Sequence, residues 1–255
     1  MGRVIAISNQ KGGVGKTTTS INLSACLASA GKKVLTIDFD PQGNTTSGLG
    51  IEKNNLKKTV YNMLLKQCTY DDIVLKSCVG NLKVLPANTD LANAELELSA
   101  IAGKESILKT ILSVYRRDFD FVIIDCPPSS NLLTLNALTA ADSVLVPIQC
   151  EYFALEGLTQ LLSTISKVQR EFNAALLIEG IVFTMFDSRV NLSLQVVEEV
   201  KEHLGKGVYT SIIPRNVRLS EAPSHGIPIT LYDSKSKGAE AYRMLAKEVI
   251  KKELR

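Results

Sequence analysis

The 255-residue chain has no tryptophan, and its aromatic residues make up only 5%. It has two histidines, His203 and His225, far apart in the chain, which read as surface or internally satisfied polar groups rather than metal ligands. Its five cysteines (Cys26, Cys68, Cys78, Cys126 and Cys150) are an odd, scattered set without a C-x-x-C pair. Zinc and a disulfide framework are therefore not expected, and the thiols read as reduced and mostly buried. No apolar run reaches the ~18 residues of a membrane span, and no leader pattern precedes the first apolar segment, so a cytoplasmic protein is expected. A net charge of +3 is too small to mark a nucleic-acid binder, so any basic surface must be local. Linkers rich in Pro, Gly or Ser are also missing, as are repeats. With 45% hydrophobic residues the chain reads as a single domain over residues 1–255.

Against this plain background, Lys11–Thr18 (KGGVGKTT) stands out. It follows an apolar run, Val4–Ser8, and opens a helical pattern from Thr17 to Ala30 that Gly31 ends. Strand, glycine loop and helix are the context a phosphate-binding loop requires. Gly12, Gly13 and Gly15 let the backbone on either side of Val14 curl its N–H groups toward phosphate oxygens. The helix start through Thr17 and Thr18 adds unpaired N–H groups and the positive end of a dipole. Lys16 supplies a charge to the β- and γ-phosphates, and the Thr17 hydroxyl is placed for Mg²⁺. The glycine usual five residues before Gly15 is replaced by Gln10, and a second lysine, Lys11, stands at the mouth of the loop. Balancing one nucleotide does not obviously need two lysines.

The rest of the chain alternates. Strands are expected at Val34–Ile37, Leu82–Pro86, Phe121–Asp125, Ser143–Gln149, within Ala175–Phe186, and at Val208–Pro214. Helices are expected at Thr59–Leu65, Leu91–Leu98, Lys104–Tyr115, Ala154–Phe172, Asn191–Leu204 and Lys235–Leu254. The fold class is therefore α/β: a doubly wound, mostly parallel twisted sheet with helices on both faces. The segment after Asp40, rich in Gly, Asn, Thr and Ser, reads as a flexible loop at a strand's carboxyl end, where active-site loops of such sheets lie. Residues 51–115 read as scaffold and adjustable surface. Asp125, ending an apolar strand, belongs beside the phosphate loop, where it can hold Mg²⁺ through a water. Asp38 and Asp40 fall on one side if their strand stays extended. One could help order the metal shell and the other position a water, and Asp40 is favoured for the water because it starts the loop. Thr17, Asp40 and Asp125 are thus the metal-side candidates.

Together, KGGVGKTT, DFDPQGN, IIDCPPS, TMFDSR and IIPRN resemble the deviant-Walker ATPases of the ParA/MinD family over residues 2 to 250. EYFALEGL at 151–158 points to its Soj-type, chromosome-partitioning branch. The resemblance implies an ATP- and Mg²⁺-dependent sandwich homodimer in which Lys11 crosses to the partner's phosphates. It makes Lys16 and Thr17 phosphate and Mg²⁺ ligands, Asp40 the hydrolysis residue and Asp125 the acid of the second switch. Pro214 and Asn216 would lie against adenine. Arg189 and Arg218 would carry sequence-independent binding of double-stranded DNA, with Arg215, Lys247, Lys251, Lys252 and Arg255 as further basic candidates. A ParB/Spo0J-like centromere-binding protein would stimulate slow hydrolysis, on a nucleoid-associated protein. Site-specific operator binding is not expected, since no recognition-helix motif precedes the first strand.

Two rivals follow from relatives of that family. A MinD-like membrane switch would use the closing helix, whose Ala241, Leu245, Val249 and Ile250 form an apolar face opposite lysines; packing into the core explains the same face. An iron–sulfur relative needs cysteines at a dimer axis, and Cys126 has no persuasive second cysteine.

Overall fold

The computed structural model describes residues 1–151, 154–204 and 207–252, without the side chains of residues 203 and 204. Tyr152 and Phe153 of the EYFALEGL motif, the His203 side chain, the last two residues expected in the closing helix, and Arg255 lie outside what is described. The strands are β1 (Arg3–Ile7), β2 (Val34–Asp38), β3 (Leu75–Lys76), β4 (Leu82–Leu85), β5 (Phe121–Asp125), β6 (Ser143–Gln149), β7 (Leu177–Phe186) and β8 (Val208–Pro214). They form one sheet in the order β3-β4-β2-β5-β1-β6-β7-β8. Every pairing is parallel except β3 on β4. β1, β2 and β5 are nearly continuous runs of Val, Ile and Leu because both faces of a parallel sheet are covered.

The helices are α1 (Lys16–Ser29), α2 (Asn44–Gly48), α3 (Val60–Leu64), α4 (Tyr70–Ile73), α5 (Ala94–Leu98), α6 (Ile107–Tyr115), α7 (Leu132–Ala140), α8 (Ala154–Glu171), α9 (Asn191–Leu204), α10 (Val217–Glu221), α11 (Ile229–Tyr232) and α12 (Lys237–Lys251). One core packs α1 and α12 on the sheet through Ile21, Leu27, Tyr242, Leu245 and Val249. The other packs α6, α7 and α8 through Leu108, Leu112, Leu133, Leu138, Leu161 and Ile165. The doubly wound class read from the sequence is the one observed.

Three local readings need correction. The segment after Asp40 is not a loose loop: it includes α2, with Thr45, Thr46 and Gly48 buried. α7 was not anticipated because LLTLNALTA is buried almost all round and shows no polar face. Its Asn136 is satisfied internally, donating to the Lys104 carbonyl at 2.8 Å and accepting from the Leu108 amide at 3.1 Å. The two-residue β3 and the single turn of α4 were also missed within 51–115, too short to leave a periodic signal.

The chain ends are clasped together. Arg3 donates to the carbonyls of Val249 and Lys252 and lies 3.5 Å from the buried Glu179 carboxylate. Glu179 also accepts from Ser143 and Tyr209, at 2.6 and 2.7 Å. The apolar face of α12 is thus used up in the core: Leu245 and Val249 are fully buried and Ala241 nearly so. Among the described residues, no helix is long and apolar enough to cross a membrane. Leu245→Ala is expected to destabilise by about 2–5 kcal/mol, lowering Tm by about 4 °C or more in thermal unfolding. A face reserved for a membrane would leave Tm unchanged.

Candidate nucleotide-binding site

The loop from Asn9 to Gly15 joins β1 to α1 at the carboxyl edge of the sheet. Gly13 and Gly15 have φ of 76° and 86°, the left-handed region that a side chain disfavours. A Cβ on Gly12 would meet no protein atom within 4 Å, so the free space there faces outward, where a ligand would sit. Asn9 braces the loop, donating to the Pro147 carbonyl at 2.8 Å and accepting from the Lys11 amide at 3.0 Å. On the other side, Thr184 donates to the Val14 carbonyl at 2.8 Å. α1 begins without a side-chain cap and without an acid in its first turn, which leaves its N–H groups to an anion.

Lys16 folds back over the loop, its Nζ donating to the Lys11 carbonyl at 3.0 Å. Burial pulls its pKa down, and Asp125, Cys126 and Asp40 pull it back up. Phosphate oxygens at this point would complete the neutralisation of a half-dry ammonium. Lys11 points elsewhere. Its Nζ pairs with Glu151 at 3.0 Å, and it lines a neighbouring cleft with Gln10, Pro128, Ser129 and Glu156.

Asp125 is the hub beneath the loop. Its fully buried carboxylate accepts from Thr17 at 2.9 Å, Ser20 at 3.0 Å and Thr45 at 2.7 Å. With its proton committed to Asp125, the Thr17 oxygen keeps lone pairs for a cation. Among the described residues no three His, Cys, Asp or Glu side chains gather as a metal cage. A hydroxyl, a nearby carboxylate and an open, phosphate-sized space suit Mg²⁺, which keeps several waters and shares phosphate oxygens, rather than an ion caged by protein.

Asp38 sits opposite Asp125 in the β2–β5 register. It is fully buried and does not open on the cleft. It accepts from both the amide and the hydroxyl of Thr46 at 2.7 Å, and so pins α2. The chain turns after it, and the two acids part company. Asp40 is 8% exposed, holds the Gln42 amide at 2.9 Å, and lines a cleft of about 240 Å³ with Gly12, Gly13, Gly15, Lys16, Thr17, Thr18, Pro128 and Met185. A second cleft of about 320 Å³ shares Gly15, Thr18 and Met185 with the first and is walled by Pro214, Asn216, Val217 and Tyr242. Asn216 caps α10 through its Oδ1, which accepts from the Arg218 amide at 2.9 Å. The phosphate-side and base-side candidates are therefore brought into one continuous groove.

The two candidate arginines lie at the same end of adjacent strands, where Phe186 pairs with Pro214. Both are exposed and both are held by acids of their own chain. Arg189 pairs with Asp187 at 2.7 Å, and Arg218 pairs with Glu221 at 2.9 Å and Asp233 at 3.8 Å. Of the terminal lysines, Lys252 is engaged by the Glu179 carbonyl and by the Tyr209 ring, whereas Lys247 and Lys251 are exposed.

Sequence reasoning missed Thr45, Ser20, Thr184, Met185 and the partner of Lys11. Only Thr45 left a signal, in the Gly43-Asn44-Thr45 run that starts α2. The others lie far along the chain from what they touch, or inside a helix.

Comparison with known proteins decides the lineage. Residues 2–178 match a family model described as an AAA domain. The chain is 58% identical over 249 residues, 98% of each protein, to the sporulation initiation inhibitor protein Soj of Bacillus subtilis. The chain belongs to the ParA/MinD family. Among solved structures it resembles MinD, the septum site-determining protein of Pyrococcus horikoshii, complexed with Mg-ADP (TM-score 0.84, 26% identity, 98% of this chain and 97% of that one). It also resembles cobyrinic acid a,c-diamide synthase from Mycobacterium smegmatis with a bound ATP analogue and magnesium (TM-score 0.87, 42% identity, 98% and 95%). ParA/MinD proteins are ATPases.

Burial, and then the Asp125 charge, pushes the Asp38 carboxyl up to about 7, and burial likewise raises Asp125. An acid whose folded pKa exceeds its unfolded value holds extra protons in the folded state, so it favours folding less as pH rises. Between the ordinary value of 3.8 and about 7, this pair makes nucleotide-free protein progressively less stable. Asp38→Asn, which cannot ionise, is expected to flatten that decline. Its Tm should fall less than the wild type's between pH 5 and pH 7.5, and parallel Tm profiles would contradict the assignment.

Proposed function

We propose that the protein is a Mg²⁺-dependent ATPase switch for partitioning chromosomes or plasmids, acting as a single domain in the cytoplasm on the nucleoid. ATP closes a homodimer, the dimer coats double-stranded DNA without sequence preference, and hydrolysis releases it. One observation carries this reading: of the two loop lysines, Lys16 serves its own phosphate cleft while Lys11 is turned out of it toward Glu151. A second, outward lysine has work to do only if another triphosphate approaches. Two facing triphosphates repel unless cations lie between them, so Lys11 of each subunit, moved from Glu151 to the partner's phosphates, ties association to ATP.

In each site the loop amides, Lys16 and the start of α1 hold the phosphates. Thr17 directly, and Asp125 through a water, would hold Mg²⁺, which supplies charge neutralisation between the β- and γ-phosphates. Pro214 gives apolar contact to adenine, and the Asn216 Nδ2, without a partner among the described residues, is a donor for a ring nitrogen. Asp40 orients the attacking water. The water oxygen bonds to the γ-phosphorus as its bond to the bridging oxygen breaks, leaving ADP and phosphate, and the water's proton leaves with phosphate or solvent. Asp40 begins the segment that Asp38 and Asp125 anchor through Thr46 and Thr45, so loss of the γ-phosphate can be felt in that segment. Turnover is slow because such a switch works by its lifetime, and a ParB/Spo0J-like protein on centromere-like sites would hasten it. The relatedness to Soj supports this biological assignment. Packing of the α12 apolar face in the core supports this reading over the rival membrane switch, which would use that face.

Asp40→Ala is expected to keep ATP affinity while lowering turnover about 10²-fold or more, checked by nucleotide-binding titration beside phosphate release; normal hydrolysis would contradict the role. Arg189→Glu with Arg218→Glu is expected to abolish DNA binding and leave ATP turnover without DNA intact. Single substitutions to Ala should each lower the salt slope of DNA binding by about one unit per subunit. Unchanged gel shifts of the double variant at moderate salt would place the DNA surface elsewhere.

A further inference from the structure

A cavity of about 790 Å³ lies away from the candidate nucleotide groove. It opens at the amino ends of β2, β4 and β5, which begin at Val34, Leu82 and Phe121, whereas the phosphate loop leaves the carboxyl end of β1. A five-residue strand separates the two edges by about 15 Å. Four cations line this cavity: Lys33, Lys76, Lys83 and Arg117.

Their placement is costly. Lys76 and Lys83 are directly opposite each other in the antiparallel β3–β4 pair, so their side chains share one face at close range. Lys83 also pairs with Leu35 across the β4–β2 ladder, which brings Lys33, two residues earlier in the chain, to the same face. None of these lysines, nor Arg117, has a carboxylate within ion-pair distance among the described residues. Asp118 and Asp120 are on the rim, but one Asp120 oxygen accepts from the Lys33 backbone amide at 2.7 Å, and neither acid meets a lysine head. The Lys83 ammonium lies 5.9 Å from the centre of the Phe119 ring, which forms part of the wall. Like charges set face to face on an edge strand weaken it unless something between them compensates.

We propose that this cavity is a second anion site, for a small polyphosphate: two or more linked phosphate groups, free or carried by a nucleoside. Three ammonium groups and one guanidinium fork are the donors suited to closely spaced phosphates. The volume is that of a small-molecule pocket, and its concave shape favours a compact ligand over the rod of a duplex. The anion seats against the Lys76–Lys83 side, since Asp118 and Asp120, which line the cavity just before β5, repel it from the β5 side. The site is independent of the ATPase reading: its residues are separate from the phosphate loop, from Asp40 and from the two arginines.

The test is calorimetric titration, at low ionic strength, of two full-length chains. One carries Lys16→Ala, which disables the phosphate loop; the other adds Lys76→Gln and Lys83→Gln, which keep the side-chain stems over the sheet edge. Sodium tripolyphosphate is expected to bind one equivalent of the first chain and to lose about tenfold or more in affinity on the second. Arg117→Gln, off the sheet, should weaken binding in the same direction. GTP binding much tighter than tripolyphosphate would identify a nucleoside polyphosphate as the ligand, and equal affinities a free one. The second chain should melt no lower than the first, because a repulsion has been removed. Equal tripolyphosphate isotherms for the two chains would overturn the proposal. So would a short DNA duplex showing the lysine-dependent loss while tripolyphosphate shows none.

Discussion

Everything at the carboxyl edge of this sheet answers to the cost of concentrating a triphosphate's charge in a partly dry cleft. The fold meets it first with dipoles: the uncapped start of α1 and a loop whose glycines leave the amides free. It adds one ammonium, Lys16, already drawn in and partly desolvated, so that phosphate restores a compensation the cleft otherwise lacks. The remaining charge belongs to whatever approaches the mouth. Lys11 stands there, held by Glu151 at a surface where an ion pair contributes little and is readily exchanged. In the proposed dimer, nucleotide occupancy and association would be joined in this way without any need for a large rearrangement of the core.

Asp125 converts that local chemistry into something the rest of the molecule can register. One carboxylate collects hydroxyls from α1 and α2 while β5 places it under the loop. The neighbouring Asp38 binds α2 a second time through Thr46, whose hydroxyl also accepts from the Ala87 amide at 2.9 Å. Two buried acids on adjacent strands are an unfavourable pair in isolation, and here each ties down neighbouring segments, Asp38 holding α2 and Asp125 holding α1 and α2. The same strand order continues through β6 to β7 and β8, whose ends carry Thr184, Met185, Pro214 and Asn216 to the second cleft of the groove, the candidate base side. Met185 holds a positive φ of 52° where the two clefts meet, the kind of backbone strain found where a chain is shaped around a ligand.

Much of this was legible in the chain because the decisive part is local. A phosphate loop is contiguous, and buried parallel strands such as FVIID announce themselves by composition, so β1, β5, β6, β8 and α9 fall where periodicity puts them. α7 escaped because a helix buried on nearly every side has no amphipathic period. α2 escaped because Asn-Thr-Thr-Ser-Gly has loop composition, and its order comes from Asp38 and Asp125, side chains reached only through folding. Reading Asp38 and Asp40 as neighbours on one side assumed an extended strand, and the turn that begins after Asp38 separates a structural acid from one that faces the cleft. The Lys11–Glu151 pair spans 140 residues and has no local trace at all.

The central claim is that a lysine turned away from its own nucleotide is what joins two subunits. Sedimentation velocity with saturating ATP and Mg²⁺ tests it most directly, on the Asp40→Ala chain with and without Lys11→Ala. The account expects a dimer from the first and single subunits, still loaded with ATP, from the second. Single subunits from the first chain, or dimers from both, would contradict it.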